Sequence, residues 1–365
     1  MKKVLYVPLD DRPVNLDDVV ALGRTAGLEV YVPLADDIAN QLDTRVYAEG
    51  TLVTGTSDPV YGKPERIRRF LQQHAARADG YVLAVDMLVY GGLIGSRRLR
   101  PAPGEHATRM NELDGEPDHH AAGWHPLPEE GEPGAIDIVA ITAPEPIAAA
   151  MDRLATNGAA QQASIVLDFT GPTAHPDITA ALLASPWTGR LLGYSAWNTA
   201  GNKIGIALGM GEARYAGLTV LHKPKELDAA MDAHGSLLFK RFLEDYYYKA
   251  VAIADIREFS RSRTPYTNVT ADQQMRLFNT PADYDAAVAL LRERMQAHTE
   301  TLRNQPAFLG GERPACAIRR IRGVCWSLSV YDSAILPAAN PGFPWGRAFE
   351  IDLAPRVALS PCPTE

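Results

Sequence analysis

Short apolar runs alternate with amphipathic stretches through the first 222 residues, and most of the runs stop at a polar burst. Val4–Leu9 ends in Asp10-Asp11-Arg12-Pro13. Leu16–Ala26 then carries apolar residues at helical spacing, with Asn15 in position to cap it. Leu28–Leu34 is a second apolar run, and Pro64–Ala76 is a charged amphipathic helix with Pro64 near its start. Tyr81–Val85 forms a third run and stops at Asp86. Further along, Ile136–Ile141, Ser164–Phe169 and Leu191–Tyr194 read as strands. Helical patterns at Glu145–Thr156 and Asp177–Ala184 separate them, and Thr199–Leu208 reads as helix. Repeated strand–helix–strand units of this length predict an α/β fold: a mostly parallel sheet covered by helices, in Rossmann-like layers with right-handed crossovers.

The pattern divides the chain. Residues 1–100 form the first half of an α/β core and 136–222 the second half. Between them, 101–135 is rich in Pro and His and keeps no apolar period, as a long exposed loop or linker would. Its histidines, His106, His119, His120 and His125, lack metal-ligand spacing and read as solvated. Residues 223–365 read as a mostly helical C-terminal region with short strands. Long helical periods run over Lys225–Arg261 and Asp272–Asn304, and strand patterns over Ile318–Val330 and Arg347–Leu353.

Charge and cysteine usage narrow the partners. Lys plus Arg number 36 against 44 Asp plus Glu, a net charge of −8, which disfavours a nucleic-acid partner. Three cysteines with no CxxC pair fit a reducing compartment. The N-terminal apolar run is cut by Pro8, too early for a signal-peptide core, and no run of 18 apolar residues predicts a membrane span. The expectation is a cytoplasmic, bacterial-type protein with a small-molecule ligand, no nucleic-acid or membrane partner, and an oligomeric state the sequence does not give.

Parallel sheets bind ligands beyond the carboxyl ends of their strands, so the strand-end residues are the candidates. Asp10, Asp11 and Asp86 are the candidate catalytic carboxylates. They could act as an acid–base pair, or Asp10 and Asp86 could hold a divalent cation, the one cofactor the pattern offers. Against this, Asp10 or Asp11 could simply form an Asx-turn or cap a helix. Arg12 reads equally as an anion clamp or as an ion-pair partner of Asp11. Asn15 belongs to the same loop. Tyr90, Gly91, Gly92 and Arg97 lie in YGGLIGSRR, which fits either an anion-binding nest or a tight packing turn. Trp197, Asn198 and Asn202 follow a strand end, where an indole could stack on a sugar and amides could bind hydroxyls. Gly205, Gly209 and Gly211 suit close helix–sheet packing, and Tyr246–Tyr248 suit a core.

The segments PLDDRPVN (8–15), VDMLVYGGLIGSR (85–97) and YSAWNTAGNKIGIAL (194–208) resemble those of the DUF4127 family. RFLEDYYY (241–248) and PWGRAFEIDL (344–353) extend the likeness. Beside that family the chain looks internally shortened, with 101–135 standing where a further Asp-Asp segment is expected. The resemblance implies that the motif residues share one site and supplies no activity. The residues themselves favour a hydrolase of a sugar-like or other polyhydroxylated small molecule acting through strand-end carboxylates. A non-catalytic binding or regulatory protein and a metal-dependent phosphate-ester hydrolase are the alternatives.

Overall fold

A computed structural model describes residues 1–40, 46–48, 51–53, 60–96, 136–141, 163–168, 176–184, 191–196, 200–221, 223–263, 281–305, 308, 318–321, 324–327, 331–336, 341–344, 348 and 350–359. The fold is α/β, with parallel sheet near the N-terminus and a helical C-terminal region.

The first sheet has β1 (Lys3–Val7) at its centre, β2 (Glu29–Tyr31) on one side and β5 (Gly80–Leu83) on the other, all parallel. Val4 aligns with Val30, and Val7 with Leu83. The helix α1 (Asp17–Thr25) crosses from β1 to β2. It begins one residue later than its pattern suggests, and Asn15 does not cap it: Leu16 stands at the N-cap without a side-chain hydrogen bond. Two acidic residues, Asp17 and Asp18, occupy its first turn, where the helix dipole favours them. A short helix α2 (Ala35–Ile38) follows β2. A small antiparallel pair, β3 (Val46–Ala48) and β4 (Thr51–Val53), is an addition to the sequence reading.

Helix α3 (Pro64–His74) starts on its proline and leads to β5. The chain turns helical at once after β5. Thus Asp86, read from sequence as a strand-end loop residue, lies in the first turn of α4 (Val85–Tyr90). Gly91 ends α4 with φ +74°, a left-handed conformation that glycine adopts without steric cost. α5 (Leu93–Ser96) follows. Val7, Ile38, Ile67, Met87 and Leu88 form the small core beneath this half.

The second sheet joins β6 (Ile136–Ile141), β7 (Ala163–Asp168) and β8 (Gly193–Ser195), again all parallel. α6 (Pro176–Ala184) lies between β7 and β8, and the expected helix at 145–156 lies outside the described residues. α7 (Ala200–Val220) then runs well past its predicted end. It approaches β8 so closely that a Cβ on Gly193 would lie 2.1 Å from the Ala207 carbonyl oxygen. Of the α7 glycines, Gly211 shares that contact, whereas Gly205 has open space around it.

α8 (Pro224–Arg241) continues without a break into a π-helix, Phe242–Ala252, and then α9 (Ile253–Arg263). α10 (Pro281–Arg303) follows. Phe239, Phe242, Leu243 and Tyr248 bury their side chains with Leu182, Tyr194 and Met210 in the larger core. Phe242 stacks on Tyr194 with ring centroids 4.2 Å apart, a pairing that adds about 1 kcal/mol to area burial. Beyond it lie two antiparallel pairs, β9 (Ile318–Ile321) with β10 (Val324–Ser327), and β11 (Tyr331–Ile335) with β12 (Arg356–Leu359). The strand expected over 347–353 does not form among the described residues there. Asp352 makes a single bridge to Gly342, and Glu350 is drawn elsewhere.

Candidate functional site

The loop leaving β1 is organised by one carboxylate. Asp10 is completely buried. Its Oδ1 accepts the backbone N–H of Arg12 (3.1 Å), Nε of Arg12 (3.1 Å) and Nδ2 of Asn15 (2.8 Å), and its Oδ2 accepts Nη2 of Arg12 (2.9 Å). The first contact is an Asx-turn, and the two guanidinium contacts make a forked ion pair. Tyr6 donates its hydroxyl to the Asn15 carbonyl, closing the loop against β1. Burial, then the Asp10 charge, pushes the Tyr6 hydroxyl up to about 12.

Arg12 is therefore a fixed cation. Asp10 is a close partner, and the remaining guanidinium nitrogen Nη1 donates to Glu350 Oε1 at 3.1 Å. Burial works against the guanidinium charge. The Asp10 hydrogen bond and the fields of Glu350, Asp10 and Asp11 outweigh it and hold the group more firmly protonated than usual.

Asp86 belongs to the neighbouring strand end. Asp10 is the third residue after β1 and Asp86 the third after β5, at the same edge of the sheet. The backbone ties the two segments together, since Leu93 N–H donates to the Leu9 carbonyl. Among the described residues no hydrogen bond joins the Asp86 carboxylate to Asp10 or Arg12. The YGG turn is a packing turn. Gly91, Gly92 and Leu93 give their N–H groups to the carbonyls of Met87, Asp86 and Leu9, so none of the three is left for an anion nest. Asn40 Nδ2 and Gly62 N–H both donate to the Gly91 carbonyl. Tyr90 is half-buried at the end of α4, and Asp11 is half-buried beside Arg12. Arg97, Trp197 and Asn198 lie outside the described residues, as does the side chain of Asn202 in α7.

A second set of charges meets the first from the C-terminal region. Asp18 of α1 receives Lys240 Nζ at 2.5 Å and Arg241 Nη2 at 3.1 Å. Arg241 also reaches Glu244 at 2.5 Å and Asp245 at 3.4 Å. All five are buried. Asp245 further accepts the N–H of Ala196, the first residue after β8, at 3.1 Å. Burial pushes its carboxyl up to about 6, against the pull of Arg241. Lys249, also buried, comes down to about 8 through burial, although Glu244, Glu350 and Asp245 oppose the shift. Burial raises Glu350 as well, against the cations Arg12 and Lys249.

The π-helix accounts for this grouping. Its wider turn sets Glu244 and Lys249 five residues apart, close to one π turn, on the side where Arg241 and Asp245 also meet. Sequence reasoning saw only the tyrosines of this segment, and Tyr247 and Tyr248 are indeed buried. It missed Glu244, Asp245, Lys249 and Glu350. Alternation of acidic and basic residues within RFLEDYYYK was the available signal.

Among the described residues, no three His, Cys, Asp or Glu side chains gather as a metal site. No helix among them is long and apolar enough to cross a membrane. A cleft of about 320 Å³ between α1, α7 and the sheet face is lined by Val4, Tyr6, Leu22, Val30 and Val82. It is too apolar for a polyhydroxylated ligand.

These features define an α/β protein with a fixed Arg–carboxylate group at the carboxyl edge of a parallel sheet. The family model of DUF4127, described as protein of unknown function, matches residues 4–115 and 129–354, and the chain belongs to that family. The interruption in the match falls inside the Pro- and His-rich stretch. No curated protein and no solved structure matches the chain.

Proposed function

We propose that the chain is a hydrolase of a sugar-like or other polyhydroxylated small molecule, working at the edge where β1 and β5 end. The observation that carries the reading is the pairing of these strands, which brings the segments bearing Asp10 and Asp86 together at one sheet edge. β1 sends its crossover to β2 on one side while β5 lies on the other, and ligands favour such crevices. In this reading Asp86 is the carboxylate that works on the substrate. Arg12 is the cationic anchor, and Asp10 and Asn15 position it. Trp197, Asn198 and Asn202, after β8, supply the stacking and hydroxyl-binding chemistry. The cytoplasm remains the proposed compartment, on cysteine usage alone.

A panel of chromogenic glycosides, esters and phosphates tests it. Glycoside turnover that Asp86→Asn abolishes while ligand-induced thermal stabilisation survives supports the reading. Unchanged turnover in Asp86→Asn overturns the site. Ligand-induced stabilisation without turnover of any class would replace the enzyme with a binding protein.

A further inference from the structure

We propose that Glu350 is the proton donor of this site, a carboxyl supplied by the C-terminal segment to complete it. The inference rests on the hydrolase reading. Glu350 lies in the motif 344–353, which the proposed chemistry otherwise leaves unused. The described residues of this segment form no strand, and the segment brings the carboxyl to within 3.1 Å of Arg12. Arg12 is fixed in turn by Asp10 at the β1 edge. The Glu350 side chain is 14% exposed. It is thus sheltered enough to hold a proton above the ordinary range of a glutamate and open enough to exchange it.

The charged groups around it are defined. Arg12 and Asp10 face it from the loop after β1, and Lys249 and Glu244 from the π-helix. Burial and the two carboxylates favour the protonated acid, while Arg12 and Lys249 favour the anion it becomes. That balance suits a group that must give up a proton and take it back. As the bond from carbon to the leaving oxygen breaks, the Glu350 proton passes to that oxygen. Water forms the new carbon–oxygen bond and gives its proton to Asp86. Both carboxyl groups return to their starting states by proton exchange with solvent.

Leaving-group dependence separates a proton donor from a structural partner of Arg12. The test compares wild type and Glu350→Gln on two glycosides of one sugar: a dinitrophenyl glycoside, whose leaving group needs no proton, and an alkyl glycoside, whose leaving group does. The expected result is a loss of about 10²- to 10⁴-fold in kcat on the alkyl glycoside, with under about tenfold on the other. The basic limb of the kcat/KM profile should vanish. Glu350→Asp, which keeps the carboxyl, should regain part of the alkyl activity and serves as the readout if the glutamine variant does not fold. Equal losses on both substrates in either variant, or a basic limb that persists unmoved in Glu350→Gln, would overturn the proposal and leave the hydrolase reading standing. Failure of wild type on both substrates would overturn the two together.

Discussion

Replacing Asp18 by asparagine keeps the volume of the side chain and removes its charge. In the folded protein Asp18 balances two buried cations, Lys240 at 2.5 Å and Arg241 at 3.1 Å. Arg241 retains Glu244 and Asp245 when Asp18 is neutralised. Lys240 loses the carboxylate it is hydrogen-bonded to and keeps only the more distant fields of carboxylates such as Glu244, Asp17 and Asp352. Removing one partner of a buried pair costs about 3–5 kcal/mol, because the stranded charge stays desolvated. The expected loss for Asp18→Asn is in that range. Adding Lys240→Met removes the stranded cation, so the double variant should be more stable than Asp18→Asn alone. A coupling of about 2–3 kcal/mol is expected for residues in one network.

Urea unfolding of the two single variants, the double variant and wild type measures this, provided the m-values agree. The pH dependence adds a sign. Burial alone would raise the Asp18 carboxyl, but Lys240 and Arg241 outweigh it and hold it below its ordinary 3.8. A carboxylate lowered by folding stabilises the fold fully above its unfolded value and loses that effect as pH falls through its folded value. The difference between wild type and Asp18→Asn should therefore be level from pH 5 to 8 and shrink below about pH 4. A cost under about 1 kcal/mol at pH 7, the size of an exposed pair, would refute the picture of a buried clamp between α1 and α8.

Three further outcomes follow from the same geometry. Asp245 titrates near 6 in the fold against an ordinary 3.8. Its contribution is therefore present at low pH and is lost as pH rises through 6, and wild type should weaken relative to Asp245→Asn by about 3 kcal/mol between pH 3 and 7 in urea titrations. Gly91→Ala forces alanine into φ +74° with its Cβ 2.6 Å from the Gly62 carbonyl oxygen. A loss of about 2–4 kcal/mol in unfolding free energy is expected, and a change under about 0.5 kcal/mol would refute it. Asn15→Ala removes one of four donors to Asp10. It should cost about 1–2 kcal/mol by the same measurement while leaving the forked Arg12 contact in place.

The fold was legible where burial follows the local period. β1, β6 and β7 are mostly apolar runs, as strands covered on both faces tend to be, and they appear within a residue or two of their patterns. The long C-terminal helices were equally plain. Legibility fails where a distant partner decides. Arg347–Leu353 alternates like a strand, yet Glu350 is taken up by an arginine 338 positions away. Asp86 follows an apolar run, but Val85 to Tyr90 close a helical turn that Gly91 terminates. Nothing in the local spacing separates those outcomes, because the selecting contacts lie in Gly62, Asn40 and Leu9.

The site was legible in part for a related reason. A strand-end rule finds Asp10 and Arg12, since it depends only on where a strand stops. It cannot find Glu244, Asp245 or Lys249, which sit mid-helix among tyrosines, where charges usually mark a solvated face. What reveals them is charge accounting rather than periodicity. Few chains bury two lysines, two arginines and several carboxylates without pairing them, because an uncompensated buried charge costs several kcal/mol. Arg241 with Asp18, Arg12 with Asp10 and Glu350, and Asp245 with the Ala196 amide are the pairs that result. A π-helix gives up regular α-helical bonding and tends to persist where function uses the altered spacing. Here it lies between the loop after β1 and the end of β8. The charged cluster is therefore both the support of the fold at this junction and the electrostatic wall of the proposed site. Substitutions in it should move stability and activity together, whereas Asp86, which makes no ion pair with that cluster, should separate the two.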